Sequence, residues 1–129
     1  MSNKPKFRAL VTGSRDWTGW EILAALNDVR ATAEAEGREL VVVHGACPTG
    51  ADAFADTWIR TTGVLFERWP AHWRPNGIYN PQAGILRNAK MVGLGADVCL
   101  AFIRNGSRGA THCAGLAEAA GIQTVRYTA

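Results

Sequence analysis

Short apolar runs alternate with stretches of helical periodicity along almost the whole chain, and few folds accept that pattern. Phe7-Arg8-Ala9-Leu10-Val11-Thr12 reads as a strand, and Ile22, Leu26, Val29 and Ala33 then recur at helical spacing between about Thr18 and Glu36. Glu39 to His44 holds the unbroken run Leu40-Val41-Val42-Val43, as expected of a strand buried on both faces. Ala51, Phe54, Ala55, Trp58 and Ile59 trace one face of a second helix, with Thr49 as its expected N-cap and Gly63 as its stop. A weaker strand over Val64–Trp69, a helix over Gln82–Val92, a strand over Asp97–Ile103, a helix over Ala110–Ala120 and a strand over Ile122–Tyr127 complete the series. Parallel strands need long crossovers, and helices supply them. The expected fold is therefore α/β: a Rossmann-like three-layer domain with a mainly parallel sheet of about five strands.

The length of 129 residues suits a single domain spanning 1–129 with a sizeable core. Hydrophobic residues at 47% and charged residues at 19% exclude intrinsic disorder. The formal charge of +3 is too small to argue for a polyanion surface. Its placement is more informative, because Pro70 to His112 carries Arg74, Arg87, Lys90, Arg104 and Arg108 against Asp97 alone. Arg supplies 11 of the 14 basic residues, the side chain suited to bidentate contact with phosphate or carboxylate. Cys47, Cys99 and Cys113 are odd in number and lack CxxC spacing, so a reduced, cytoplasmic protein is expected rather than a disulfide framework. No apolar segment is long enough for a membrane span, and the N-terminus lacks a signal-peptide pattern. His44, Cys47, His72, His112 and Cys113 fall near strand ends but lack paired ligand spacing beyond His44-x-x-Cys47, so no metal and no cofactor are expected.

In an open parallel sheet, ligands bind beyond the carboxyl ends of the strands. Three strand ends here lead through glycine-rich turns into helices: Thr12-Gly13-Ser14-Arg15, His44 to Asp52, and Asn105 to Thr111. Such turns bring backbone N–H groups and the positive end of a helix dipole to one place, which suits phosphate. Tight strand-to-helix turns need glycine in any case, so a single turn says little; three at neighbouring strand ends, two beside Arg15 and Arg108, say more. The G-x-G-x-x-G and Gly-Lys-Ser/Thr patterns are both missing, which disfavours dehydrogenase and P-loop chemistry.

VTGSRDW, HGACPTGADAFADTW, PAHW, AGILRNAKMV and the segment from Ala101 to His112 occur in this order. Together they resemble the YspA-like branch of the SLOG superfamily, a branch of unknown function common in bacteria and phages. The resemblance covers about Arg8 to Arg126 and implies a Rossmann-like fold, a nucleotide or nucleotide-sugar ligand, and a homodimer. The wider superfamily includes the Lonely Guy phosphoribohydrolases and DNA-processing protein A. By likeness to the Lonely Guy loop, Gly106-Ser107-Arg108-Gly109-Ala110 would hold phosphate and Arg87 would be its helix-borne arginine. Cys113 falls where that loop has its carboxylate, and a thiol cannot replace it, so the Lonely Guy hydrolysis does not transfer directly.

Asp52, in Gly50-Ala51-Asp52, is then the candidate carboxylate, for ribose hydroxyls or for activating water; a helix-dipole charge is its structural alternative. Asp52 and Arg87 are the candidate catalytic pair. Gly13, Ser14, Arg15, Gly45, Gly50, Asp52, Arg87, Asn88, Gly106, Ser107, Arg108, Gly109 and Thr111 are the candidate ligand-binding set. His72 and Trp73, in the long turn-rich loop Pro70–Pro81, suit base stacking or interface packing equally; Trp17 and Trp20 are open between the same roles, and Trp58 and Cys99 belong to the core. The expected function is binding or sensing of a small nucleotide-derived ligand, a nucleoside phosphate or ADP-ribose-like molecule. A hydrolase acting at the same site is the first alternative and single-stranded nucleic-acid binding the second. The expected partners are that small ligand and a second copy of the chain, with nucleic acid disfavoured and no membrane.

Overall fold

The computed structural model describes residues 3–129. Its elements run β1 (Lys6–Gly13), α1 (Glu21–Ala35), β2 (Glu39–His44), α2 (Gly50–Thr62), β3 (Leu65–Arg68), α3 (Ala83–Gly93), β4 (Val98–Ile103), α4 (Arg108–Ala119) and β5 (Gln123–Thr128), with a short 3₁₀ turn at Pro75–Gly77. The five strands form one sheet in the order β3-β2-β1-β4-β5, and every pairing is parallel. The chain winds outward through β2 and β3, then returns past β1 to place β4 and β5 on its other side. The strand order therefore reverses between β1 and β4, where an open α/β sheet leaves a crevice.

Alternation along β1 divides the interior between the two faces. Ala9 and Val11 point with Val42, Leu100 and Phe102 into a core closed by Ile22 and Leu26 of α1 and Ala55, Trp58 and Ile59 of α2. Leu10 points the other way, with Val43 and Cys99, and meets Met91 and Val92 of α3 and Cys113 and Ala117 of α4. Helices thus cover both faces, the three-layer α/β architecture expected of the alternating pattern. Burial pushes the Cys99 thiol up to about 12, and Cys113 is also raised, so both behave as small core hydrophobes. From the amino half of β1 both Arg8 terminal nitrogens reach Glu67, near the carboxyl end of β3 (2.6 and 3.0 Å), and at the amino ends of the strands Arg38 donates to Asp97 at 2.8 Å. This end of the sheet is closed by an ion pair.

Several boundaries differ from the sequence expectation. α1 begins at Glu21 rather than Thr18, with Trp20 exposed at its N-cap position. Trp17 is core: it is buried edge-on against Phe102, with ring centroids 5.4 Å apart. α4 begins at Arg108 rather than Ala110, because Gly109 is accepted in a first helical turn. Thr49 stands at the N-cap of α2 with extended backbone, but its side chain makes no capping hydrogen bond. Gly63 ends that helix in the left-handed region, its N–H donating to Ile59 O at 2.8 Å. Among the described residues no helix is long and apolar enough to cross a membrane.

Candidate functional site

A cavity of about 700 Å³ opens at the carboxyl ends of β1 and β2 and reaches the start of α4. Its volume falls in the range of small-ligand sites, roughly 300–1,000 Å³. Gly13, Arg15, Gly45, Asp52, Arg87, Asn88, Ser107 and Gly109 of the sequence-derived set line it. Ser14, Gly50, Gly106, Arg108 and Thr111 do not.

Of the residues outside the lining, Ser14 and Gly50 have structural work. Ser14 joins the ends of β1 and β4: its N–H donates to Phe102 O (2.9 Å), and its Oγ accepts from the Arg104 N–H (2.8 Å). Its carbonyl accepts from the Trp17 and Ala51 N–H groups at 3.2 and 3.3 Å. Gly50 has φ +68° and packs so closely on the Ser14–Arg15 backbone that a Cβ would overlap it. Arg108 and Thr111 are exposed on the outer side of the first turn of α4.

Arg87 stands on α3 and is half-buried. Its Nε donates to Asn88 Oδ1 (2.8 Å), and its Nη1 donates to Gly45 O (2.6 Å) and, more weakly, to Trp69 O (3.3 Å). Gly45 lies so close to this guanidinium that any side chain there would displace it. Among the described residues no carboxylate lies within 4.0 Å of Arg87, and its Nη2 makes no hydrogen bond. Asn88 is buried beside it, and its amide reaches Gly109 O at a long 3.5 Å, linking α3 to the start of α4.

Asp52 is 6% exposed in the first turn of α2 and accepts the Cys47 N–H at 3.1 Å. Burial raises its carboxyl above the ordinary range, against the opposing pull of that N–H and of His44 and Arg87. The helices that meet the cavity, α2 and α4, both lack a side-chain cap at Thr49 and Ser107. In α2 the Ala51 N–H is taken by Ser14 O, and the remaining first-turn N–H groups of the two helices are left for another acceptor.

Four features escaped the sequence reading. His44 is fully buried, with Nε2 2.6 Å from Asp56 Oδ1 and Nδ1 accepting the Ala46 N–H at 2.9 Å. Nδ1 therefore carries no proton and Nε2 donates to Asp56, which holds the turn after β2 in place. Nothing local in the sequence links His44 to a carboxylate on the following helix. Thr12 and Asp16 also line the cavity, and Gly84 of α3 leaves room for the Trp73 ring. Of the aromatic pair in the long loop, Trp73 lines this cavity, whereas His72 lines a second, smaller hollow with Trp69 and Leu86. Among the described residues no three His, Cys, Asp or Glu side chains gather as a metal site would require.

Comparison with known proteins agrees with this architecture. The Gene 61 protein of Mycobacterium phage D29 is 41% identical over 129 residues, covering 93% of this chain and 95% of the relative. No solved structure matches the chain significantly. The profile of the YspA, cpYpsA-related SLOG family matches residues 7–75, from β1 through β3 into the aromatic loop. With a reversal of strand order at β1/β4, a cavity at that reversal and a near full-length phage relative, the chain belongs to the YspA, cpYpsA-related SLOG family.

Proposed function

We propose that the chain binds a nucleotide-derived ligand, a nucleoside phosphate or an ADP-ribose-like molecule, in the cavity at the strand ends. The observation that carries this reading is Arg87. A half-buried guanidinium held by neutral acceptors, with one nitrogen free, favours an anionic partner. Two uncapped helix N-termini beside it favour the same charge. Ser107 and Gly109 allow close approach of phosphate, while Gly13 and Gly45 let Ala51 and the Arg87 guanidinium pack at the cavity wall; Arg15 and Asn88 extend the polar rim, and Asp52 meets the sugar hydroxyls. Ser14 and Gly50 hold the turns rather than the ligand, and Gly106, Arg108 and Thr111 stand exposed outside the cavity. Native mass spectrometry of freshly purified protein, followed by calorimetric titration with ADP-ribose and AMP, tests this. A nucleotide-derived ligand bound by the native chain and lost in Arg87→Ala is the expected result. An empty protein without millimolar affinity for either compound would reject it.

A second reading rests on Asp52. A buried carboxyl at a cavity wall, its pKa raised by burial, is a more basic carboxylate than an exposed one and suits a general base. In that case Asp52 activates water against a glycosidic or phosphate bond while Arg87 steadies the phosphate. Asp52→Asn then abolishes conversion of the bound ligand but keeps its binding; turnover at the native rate in that variant removes the reading.

We also read the chain as a cytoplasmic homodimer. Ile85 and Leu86 of α3 and Leu94 just beyond its end are exposed, and Ile78 and Tyr79 lie exposed in the preceding loop. Ile85 also lines the cavity, and exposed large apolar side chains of this kind favour an interface. Light scattering at micromolar concentration is expected to return twice the chain mass, and a monomer counts against the dimer.

A further inference from the structure

The loop between β3 and α3 holds an aromatic–cation stack at the cavity wall. The Trp73 ring lies near parallel to Tyr79, with centroids 6.3 Å apart and an interplanar angle of 15°. The Arg15 guanidinium lies over Trp73 at 5.4 Å, and Arg74 lies over Tyr79 at 5.6 Å. Trp73 and Arg15 both line the cavity. The edge of the indole rests on Gly84, where an added Cβ would stand 3.1 Å from the ring. Asn80 donates its backbone N–H to Trp73 O at 2.6 Å, which ties the loop back on itself and sets the ring's position.

Arg15 is exposed, and among the described residues it has no carboxylate within ion-pair distance. Its contact with Trp73 is a cation–π interaction, one of the weaker attachments an arginine can have. An anion draws a guanidinium more strongly, through charge-assisted hydrogen bonds. A planar heterocycle, in turn, gains by stacking on an indole. A ligand carrying both a ring and an anionic group can therefore displace Arg15 from the indole and give it a better partner.

We propose that Trp73 is the ring-stacking residue of this cavity, and that Arg15 exchanges its place over the indole for the ligand's phosphate as the ligand's base takes that place. The inference rests on the nucleotide-ligand reading and narrows it: the ligand must carry an aromatic base as well as an anionic group. It also assigns Arg15 a second position, away from the ring.

Calorimetric titration of AMP and of ribose 5-phosphate separates the two halves of the ligand, because they differ only in the base. With the native chain, AMP is expected to bind roughly 5- to 100-fold more tightly than ribose 5-phosphate, the contribution of one base–aromatic stack. In Trp73→Leu, which keeps apolar bulk on Gly84, that ratio falls to near one while ribose 5-phosphate affinity holds. In Trp73→Phe, with a smaller aromatic face, the ratio recovers in part. Circular dichroism and thermal melting confirm that each variant is folded. Equal affinities in the native chain, or a ratio unchanged in Trp73→Leu, would overturn the stack and leave the phosphate-sugar reading standing. Absence of binding by AMP, ribose 5-phosphate and ADP-ribose alike would overturn both. Arg15→Ala is expected to weaken both ligands by a similar factor; tighter AMP binding with ribose 5-phosphate unchanged would show Arg15 to be only a plug on the indole, and the exchange would be wrong.

Discussion

Two of the three glycine-rich turns that border the cavity look alike as sequence and differ as structure. The turn after β2, from Gly45 to Asp52, is tied at almost every step. His44 holds the Ala46 N–H, Asp52 holds the Cys47 N–H, Arg87 holds Gly45 O, and Gly50 is wedged against the Ser14–Arg15 backbone. The turn after β4, from Asn105 to Gly109, is mostly exposed, and Gly106 has open space where a side chain would stand. Only its last residues, Ser107 and Gly109, reach the cavity. Glycine in the first turn therefore permits close packing, whereas in the second it permits a bend. Equal composition conceals unequal constraint.

The sharpest way to break this contrast is to add one methyl group to each turn. Gly50→Ala adds the strain of a left-handed residue, about 1–2 kcal/mol, to overlap with backbone, about 1–3 kcal/mol more. Gly106→Ala, with φ +63° and nothing within 4 Å, is expected to show only the first effect. Urea denaturation of both variants measures the difference; equal losses would mean that the turn after β2 yields as easily as its counterpart.

Charge removal sharpens the same comparison at the level of binding. Arg87→Ala removes a guanidinium held at the turn after β2, and AMP affinity should fall roughly 10- to 100-fold, as for a lost charge-assisted contact. Arg108→Ala, on the outer side of α4, should change it by less than about twofold, since an exposed charge acts weakly through solvent. A large loss on Arg108→Ala would mean that the exposed turn closes onto the ligand.

The smallest expected effect is the pH dependence of stability at Asp52. Its folded pKa is raised by burial, so the native state holds its proton more tightly than the unfolded chain does. The resulting stabilisation is full below the unfolded pKa and is lost as pH rises through the folded one. Asp52→Asn removes that dependence and should be more stable than the native chain at neutral pH, with the gap closing on acidification. The Glu67–Arg8 pair, which links β3 to β1, has the reverse sign. The Arg8 hydrogen bond holds Glu67 below the usual range, so its contribution is present above the unfolded pKa and fades as pH falls through the folded one. Denaturation of Asp52→Asn and Glu67→Gln across pH separates the two slopes.

The strands were legible because a parallel strand buried on both faces writes itself as an apolar run; Leu40 to Val43 and Val98 to Ile103 are the clearest cases. Helix starts were less so. Gly109 reads as a turn residue, yet it sits in the first turn of α4, where intrahelical partners for N–H groups are missing in any case. Within the candidate site, the turns and Arg87 could be named from spacing and from the cost of burying an arginine. The His44–Asp56 hydrogen bond could not, because it crosses from a strand end to the middle of the following helix and neither residue stands in a diagnostic pattern. Nor did the three glycine-rich turns announce which residues face inward: Ser14 and Gly50 lie in the right segments but turn toward the protein.

The strand order also governs the sequence of events as the chain is made. β1, β2 and β3, with α1 and α2 covering one face, lie within the stretch matched by the family profile and can pair as soon as they emerge. β1 then presents an open edge until β4 arrives, because Leu10 finds its second neighbour, Cys99, only 89 residues later. Ser14 gains its partners Phe102 and Arg104 at the same moment. A nascent chain stalled before β4 therefore exposes a strand edge of the kind that recruits other chains, and nascent protein is at greatest risk of aggregation in that interval.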